Sequence, residues 1–385
     1  MEYKPFSIIH IGLLEDRSNP LKSIKFNHNG TSLITGNSIG EIQLWDVMSG
    51  QEFRTIKSYT EEVRDLLINS DSSRIVSFQG TPFQGTPRLW DIENGKVLAL
   101  LTGQTVAFNL DGTRLITYNN WSDKEICLLN AQTGEQIEAL NGSRAIFTSD
   151  GLSIVSIDRT IVRIWNAQTG AELFTLKGHD LPIKSIAIAP SNKYVASADE
   201  NTLRIWKTDT GEQTNAVNVH CSLDFDCIAF SPDDRYIAII DPYEEYDYEA
   251  LWCPAKLVEI VTGKVIKLIA GSVGWAGDFV QFAPDGSCII VISSNLEVPE
   301  NTIINIWDML TFEEVASPSG LYIIFNAQGS ISAIGDWNHI ILWHLQTGFA
   351  ITLPGNRLTV DADWNRIATL DSNGTVHIYQ INYLK

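Results

Sequence analysis

Gly36-Asn37-Ser38-Ile39-Gly40 has the G-x-S-x-G spacing of a serine nucleophile carried on a sharp turn. Acyl transfer from such a serine needs a strand before it and a helix after it, so that the hydroxyl stands clear of a sheet. The residues that follow, Glu41-Ile42-Gln43-Leu44-Trp45-Asp46, read as a strand, and the motif reads as a turn. His220, Cys221, Cys227 and Cys253 are of types that ligate zinc, but their spacing matches no zinc pattern. Buried thiols behave as small apolar groups. Neither HExxH, GxxxxGK[ST] nor GxGxxG occurs. The expectation is no catalytic residue, no metal and no cofactor.

Recognition is the chemistry that remains. Residues 241–255, DPYEEYDYEALWCPA, carry Asp241, Glu244, Glu245, Asp247 and Glu249 among Tyr243, Tyr246, Tyr248 and Trp252. No Lys or Arg lies between Arg235 and Lys256. Aromatic rings bury much area for few frozen torsions, and interleaved carboxylates favour a Lys/Arg-bearing ligand through encounter rate and selectivity. A solvated acidic loop explains the same residues. Calcium binding is a third reading, against which the loose spacing of the oxygen ligands counts.

The elements that would position these residues repeat along the chain. Third-strand copies read LWDVMSG at Trp45, LWDIENG at Trp90, LLNAQTG at Leu129, IWNAQTG at Trp165, IWKTDTG at Trp206, LVEIVTG at Val258, IWDMLTF at Trp307, LWHLQTG at Trp343 and IYQINYL at Tyr379. Trp45 to Tyr379 spans eight intervals over 334 residues, or about 42 per unit. Each unit also has a turn between its first two strands: Asn29-Gly30, Asp71-Ser72, Asp111-Gly112, Asp150-Gly151, Ser191-Asn192, Asp233-Asp234, Asp285-Gly286, Gln328-Gly329 and Asp363-Trp364. Asn-Gly and Asp-Gly tolerate the positive φ that tight hairpins demand. A fourth strand follows each third strand except the last. Residues 5–13, PFSIIHIGL, read as a strand without a unit of its own, able to complete the last sheet and remove its free edge.

These repeats resemble the WD-repeat β-propeller family over essentially the full length. The dipeptide stands complete at Trp45-Asp46, Trp90-Asp91 and Trp307-Asp308. The resemblance implies an all-β fold: a single propeller domain over 1–385, with nine four-stranded blades and closure by the N-terminal strand. Eight blades with one displaced unit is the alternative, and the Val258 unit is the expected misfit. The resemblance also implies a structural hydrogen-bond network in one blade, through His179, Ser197, Asp199 and Trp206, with Glu200 able to replace Asp199. In the family's geometry the loops joining second to third strands, and successive blades, share one rim, the top. Long insertions fall there, including 241–255 and NNWSDKE with Trp121. Trp275, in the long AGSVGWAGDF loop, and the 241–255 segment are expected on adjacent blades as one wall of a recognition cleft.

Bulk composition narrows the partner. With 46 acidic and 27 basic side chains the formal charge is −19, which disfavours direct nucleic-acid contact and anionic membrane surfaces. Five cysteines without a CxxC argue against a disulfide framework and for a reducing compartment. Neither a signal peptide nor a membrane-length apolar run is read. The expectation is a cytoplasmic, monomeric, non-catalytic scaffold that binds a protein or a peptide, with Lys/Arg-rich ligands favoured. Two alternatives stand beside it. One is a propeller hydrolase or lyase using first-strand residues such as Lys22, Arg64, Arg144, Lys184, Asp224, Asp278 and Arg357 at a channel mouth. The other is a translation- or ribosome-associated propeller factor.

Overall fold

Short runs rich in Ile, Val, Leu and aromatic residues, each ended by an Asp, Asn or Gly turn, favour antiparallel strands over helices. The computed structural model describes residues 4–15, 19–57, 61–80, 85–118, 125–219, 221, 227–241, 255–269, 275–295, 302–336 and 338–384. All the α- or β-structure among the described residues is strand. Nine four-stranded antiparallel sheets follow one another in a β-propeller fold. Sheets 1 to 8 span residues 21–57, 63–100, 105–140, 144–177, 185–218, 228–269, 275–316 and 322–354, each with its strands in chain order. Sheet 9 takes three strands from 357–383 and its fourth from the N-terminus. Nine sheets, not eight, are therefore present, and the Val258 unit forms a complete sheet 6.

The N-terminal strand runs Phe6–Glu15, two residues further than the expected 5–13. It pairs antiparallel with Thr375–Tyr383 from Phe6↔Tyr383 to Glu15↔Thr375, with one register shift between His10 and Gly12. Phe6 and Leu14 anchor it, both fully buried.

One backbone device recurs in all nine first turns. The second residue of each is left-handed, with φ between 55° and 73°: Gly30, Ser72, Gly112, Gly151, Asn192, Asp234, Gly286, Gly329 and Trp364. Glycine adopts this region without strain, and the substitutes need a compensating contact. Three of them have one. The Ser72 hydroxyl accepts the His28 N–H at 3.0 Å, Asn192 Oδ1 accepts the Ser149 N–H at 2.7 Å, and Asp234 Oδ1 accepts the Ser191 N–H at 3.4 Å. Each bond ties a turn to the one before it.

The chain divides into two compact units: 1–120 with 127–139 and 330–385, and 121–126 with 140–329. Within each, apolar clusters lie between successive sheets. In the first unit Leu14, Leu21, Leu33, Trp45, Leu370 and Ile378 pack sheet 9 on sheet 1. In the second, Ile157, Ile164, Ile186, Val195 and Trp206 pack sheet 4 on sheet 5.

In four sheets the repeated tryptophan closes the sheet on itself. Indole N–H groups of Trp45, Trp90, Trp165 and Trp206 donate to the hydroxyls of Thr35, Ser77, Ser156 and Ser197 at 2.8–2.9 Å. The acceptor always lies two residues beyond the indole's cross-strand partner, as Val195 is to Ser197. Where the pair is broken the consequence is visible. In sheet 3 Leu129 replaces the indole and pairs with Leu115, and the hydroxyl of Thr117, two residues beyond, is buried without a partner; in sheet 7 Trp307 pairs with Ile289, Val291 stands at the acceptor position, and the indole N–H is buried without a partner. Sheet 6 has Val258 paired with Ile237 and Ile239 at the acceptor position, apolar on both sides, so it loses the bond and orphans nothing. That is why the degenerate unit still folds as a full sheet.

The G-x-S-x-G segment is structural. Gly36 and Asn37 end the strand Ser32–Asn37, and after the turn the chain enters the strand Glu41–Asp46, not a helix. Asn37 Oδ1 accepts the N–H groups of Ile39 and Glu41 at 3.2 and 2.9 Å. A Cβ at Gly36 would lie 2.4 Å from Val63 Cγ1 and 2.5 Å from Ser23 Oγ. Gly36→Ala will cost about 1–3 kcal/mol by overpacking, while Ser38→Ala will stay within roughly 0.5 kcal/mol of the parent. Denaturant midpoints of the two variants check this, and equal losses would contradict it.

Candidate functional site

Sheet 5 carries a hydrogen-bond relay built from its own sequence. The strand Tyr194–Ala198 presents Ser197, the turn after it presents Asp199, and the strand Thr202–Lys207 presents Trp206. His179 enters from the segment before the first strand, Ser185–Ile188. His179 Nδ1 lies 2.7 Å from Asp199 Oδ2, and Nε2 lies 2.7 Å from Ser197 Oγ. Both the imidazole and the carboxylate side chains are almost fully buried, at 1% and 3% exposure. A carboxylate can only accept, so Nδ1 carries the proton. In the neutral ring Nε2 then accepts from the Ser197 hydroxyl, which accepts the Trp206 indole N–H in turn.

Burial dominates at His179 and lowers its pKa, and the pull of Asp199 only partly opposes this. At Asp199 burial pushes upward, but hydrogen bonds from His179 and from the Asn201 and Thr202 N–H groups hold the carboxyl below its ordinary value. The pair is a carboxylate beside a neutral imidazole. Every polar atom of the relay is occupied, so its chemistry is structural. Asp199, not Glu200, fills the acidic position.

The residues expected to bind a partner fall differently. Trp121, Tyr243, Glu244, Glu245, Tyr246, Asp247, Tyr248 and Trp252 lie outside the described residues. Trp275 begins the strand Trp275–Phe282 of sheet 7, opposite Asn295. The neck of the 241–255 segment is described, and it holds a contact that sequence reasoning missed. Ile240 pairs with Ala255 across the neck, and Lys256 Nζ meets Asp241 Oδ2 at 2.6 Å. Asp241 is completely buried and the Lys256 side chain is 11% exposed. Asp241 therefore belongs to the base of the segment and not to its acidic face. It occupies the place in sheet 6 that Asp199 holds in sheet 5, directly after the second strand.

Of the four residues with zinc-ligand chemistry, Cys221 and Cys227 come together, with Sγ atoms 2.8 Å apart and no exposure. The hydrogen bond with Cys221, and then burial, push the Cys227 thiol well above its ordinary pKa. A thiol held protonated is neither a ready nucleophile nor a metal ligand. His220 and Cys253 lie outside the described residues. Among the described residues no group of three or more His, Cys, Asp or Glu is placed to hold a metal ion. Of the first-strand candidates, Arg357 and Arg64 meet; Asp224 lies outside the described residues.

The profile of the family "WD domain, G-beta repeat" matches residues 170–207, the stretch that contains the sheet 5 relay. The chain is 28% identical over 206 residues to the nuclear distribution protein PAC1 of Arthroderma otae, covering 52% of this chain and 40% of that protein. It is 23% identical over 231 residues to autophagy-related protein 16 of Arabidopsis thaliana, covering 56% and 44%. Among solved structures, the C-terminal WD40 domain of Sif2 superposes with a TM-score of 0.57 at 17% identity, covering 97% of this chain and 98% of that one. Together these likenesses support a WD-repeat β-propeller.

The matched region spans less than half the length of these two curated relatives. WD-repeat proteins of this kind typically act as protein-interaction scaffolds and are generally non-catalytic. In this chain no helix among the described residues is long and apolar enough to cross a membrane.

Proposed function

We propose that this WD-repeat protein is a cytoplasmic, monomeric, non-catalytic scaffold, acting as one propeller domain over 1–385. Its partner is a protein or peptide rich in Lys and Arg. The observation that carries the reading is the Asp241–Lys256 pair. It closes the base of the 242–254 segment with a buried ionic contact, and one carboxylate and the nearest ammonium neutralise each other there. Glu244, Glu245, Asp247 and Glu249 are then left without a basic residue in their own stretch, interleaved with Tyr243, Tyr246, Tyr248 and Trp252. An anchored segment with this composition offers a basic ligand both charge and aromatic area. Trp121 and Trp275 are the further aromatic candidates.

Affinity capture from native lysate at low and high salt tests the reading. Exposed acidic contacts weaken as salt shortens the Debye length, so capture falls at high salt. Changing Tyr246, Tyr248 or Trp252 to Ala will each cost about 2 kcal/mol of binding, roughly 30-fold in Kd, if these are the anchors. Unchanged capture by the triple variant removes the segment from the site.

A further inference from the structure

Three cations gather at the starts of three neighbouring first strands of the first unit. Lys22 sits at a register shift between Leu21 and Ser23 in the strand Leu21–Phe26 of sheet 1. Arg64 sits at the matching shift between Val63 and Asp65 in the strand Val63–Ile68 of sheet 2. Arg357 begins the strand Arg357–Val360 of sheet 9, where the Asn356 N–H also bonds to Leu370, the cross-strand partner of Arg357. Bulges of this kind re-aim side chains. The sheet 1 strand packs against both of the others. Arg357 nevertheless reaches past it: its Nη1 donates to the backbone oxygen of Arg64 at 2.9 Å, across 293 residues of sequence.

Among the described residues none of the three has a carboxylate partner, in a chain with 46 acidic side chains. The acids nearest in sequence are engaged or turned outward. Asp65 Oδ1 accepts the Leu66 N–H, and Glu61 and Glu62 are exposed, with Glu61 Oε2 2.7 Å from where a Cβ on Gly80 would stand. Arg64 Nε is buried without a partner. Arg357 is exposed and keeps the rest of its donors free, and Lys22 and Arg64 are half-buried. Like charges brought together without a counter-charge repel, and an anion relieves this. A planar carboxylate is satisfied by one guanidinium fork. Donors arriving from three strands suit a tetrahedral oxyanion better.

We infer that Lys22, Arg64 and Arg357 form an oxyanion site that takes a phosphate group, either free or carried by a partner. The site stands independently of the acidic segment.

The test is calorimetric titration of the full chain at constant ionic strength, balanced with chloride. The probes are inorganic phosphate, a phosphoserine peptide and the same peptide unphosphorylated. Saturable uptake is expected, weakened at least tenfold in Lys22→Gln and in Arg357→Gln, and unchanged in Arg235→Gln on sheet 6. Lys22→Gln leaves the Arg357–Arg64 bond in place, so its loss reports charge and not folding. Equal affinity for phosphate and phosphopeptide assigns the free anion, and a tenfold preference for the phosphopeptide assigns a carried group. No saturable uptake, equal binding of both peptides, or parental affinity in Lys22→Gln overturns the inference.

Discussion

Asp199→Ala will lower the stability of the protein by about 3 kcal/mol. The side chain accepts from three donors, His179 Nδ1–H and the N–H groups of Asn201 and Thr202, and all three are left behind by the change. Each buried donor that loses its partner costs about 1 kcal/mol or more. Asp199→Asn keeps one acceptor oxygen and should lose roughly half as much. Ser197→Ala breaks the relay at its centre, orphaning the Trp206 indole N–H and the His179 Nε2 lone pair, and belongs in the same series. Denaturant midpoints measure the loss, and hydrogen exchange localises it to residues 178–207. An Asp199→Ala protein with the parental midpoint would show that the relay contributes nothing.

The same relay fixes a pH dependence. The folded-state pKa of His179 is lowered from its ordinary 6.5, so the unfolded chain takes up the proton first as pH falls. The contribution is complete above about 6.5 and erodes below it, until the folded ring is protonated too. Asp199 is also lowered from its ordinary 3.8, so its contribution is complete above that value and is lost as pH falls further. Both groups make acid destabilising, in successive windows. A His179→Gln protein, less stable at pH 7, will show a flatter stability profile between pH 7 and 5 than the parent.

The architecture was legible because it is written in local chemistry. Left-handed turn residues and a third-strand aromatic recur at fixed spacing, and each needs only its own unit to make sense. Even the weak copies could be read: Val258 loses its hydrogen bond, but Ile239 removes the matching hydroxyl, so no orphan forces the unit out. The relay was legible for the same reason, since His179 to Trp206 lies inside one repeat. The remaining contacts depend on register and on distance along the chain. Asp241 looked like one acid among five until the pairing of Ile240 with Ala255 placed it beside Lys256. The Arg357–Arg64 contact joins residues from opposite ends of the chain, through bulges that composition does not reveal. The orphaned Trp307 indole likewise appears only once Ile289 is known to pair with Trp307, which puts Val291 at the acceptor position.

Removal of residues 1–15 will destabilise the first unit more than any single substitution considered above. The strand Phe6–Glu15 covers the edge of Thr375–Tyr383 along its whole length. Phe6 is completely buried and stands edge-on to Phe349 at 5.3 Å, and Leu14 joins the cluster between sheets 9 and 1. Losing two such side chains costs roughly 5–10 kcal/mol before any backbone bond is counted. At about 2–4 °C per kcal/mol the thermal midpoint should fall by at least about 10 °C. The uncovered strand also becomes an open edge, which favours association between chains. A synthetic peptide of residues 4–15, added in trans, should restore the midpoint by strand addition. The same peptide carrying Phe6→Ala and Leu14→Ala should not, because the ladder alone supplies no buried area. A truncated protein that stays monomeric at the parental midpoint would mean that the N-terminal strand is a covering and not a closure.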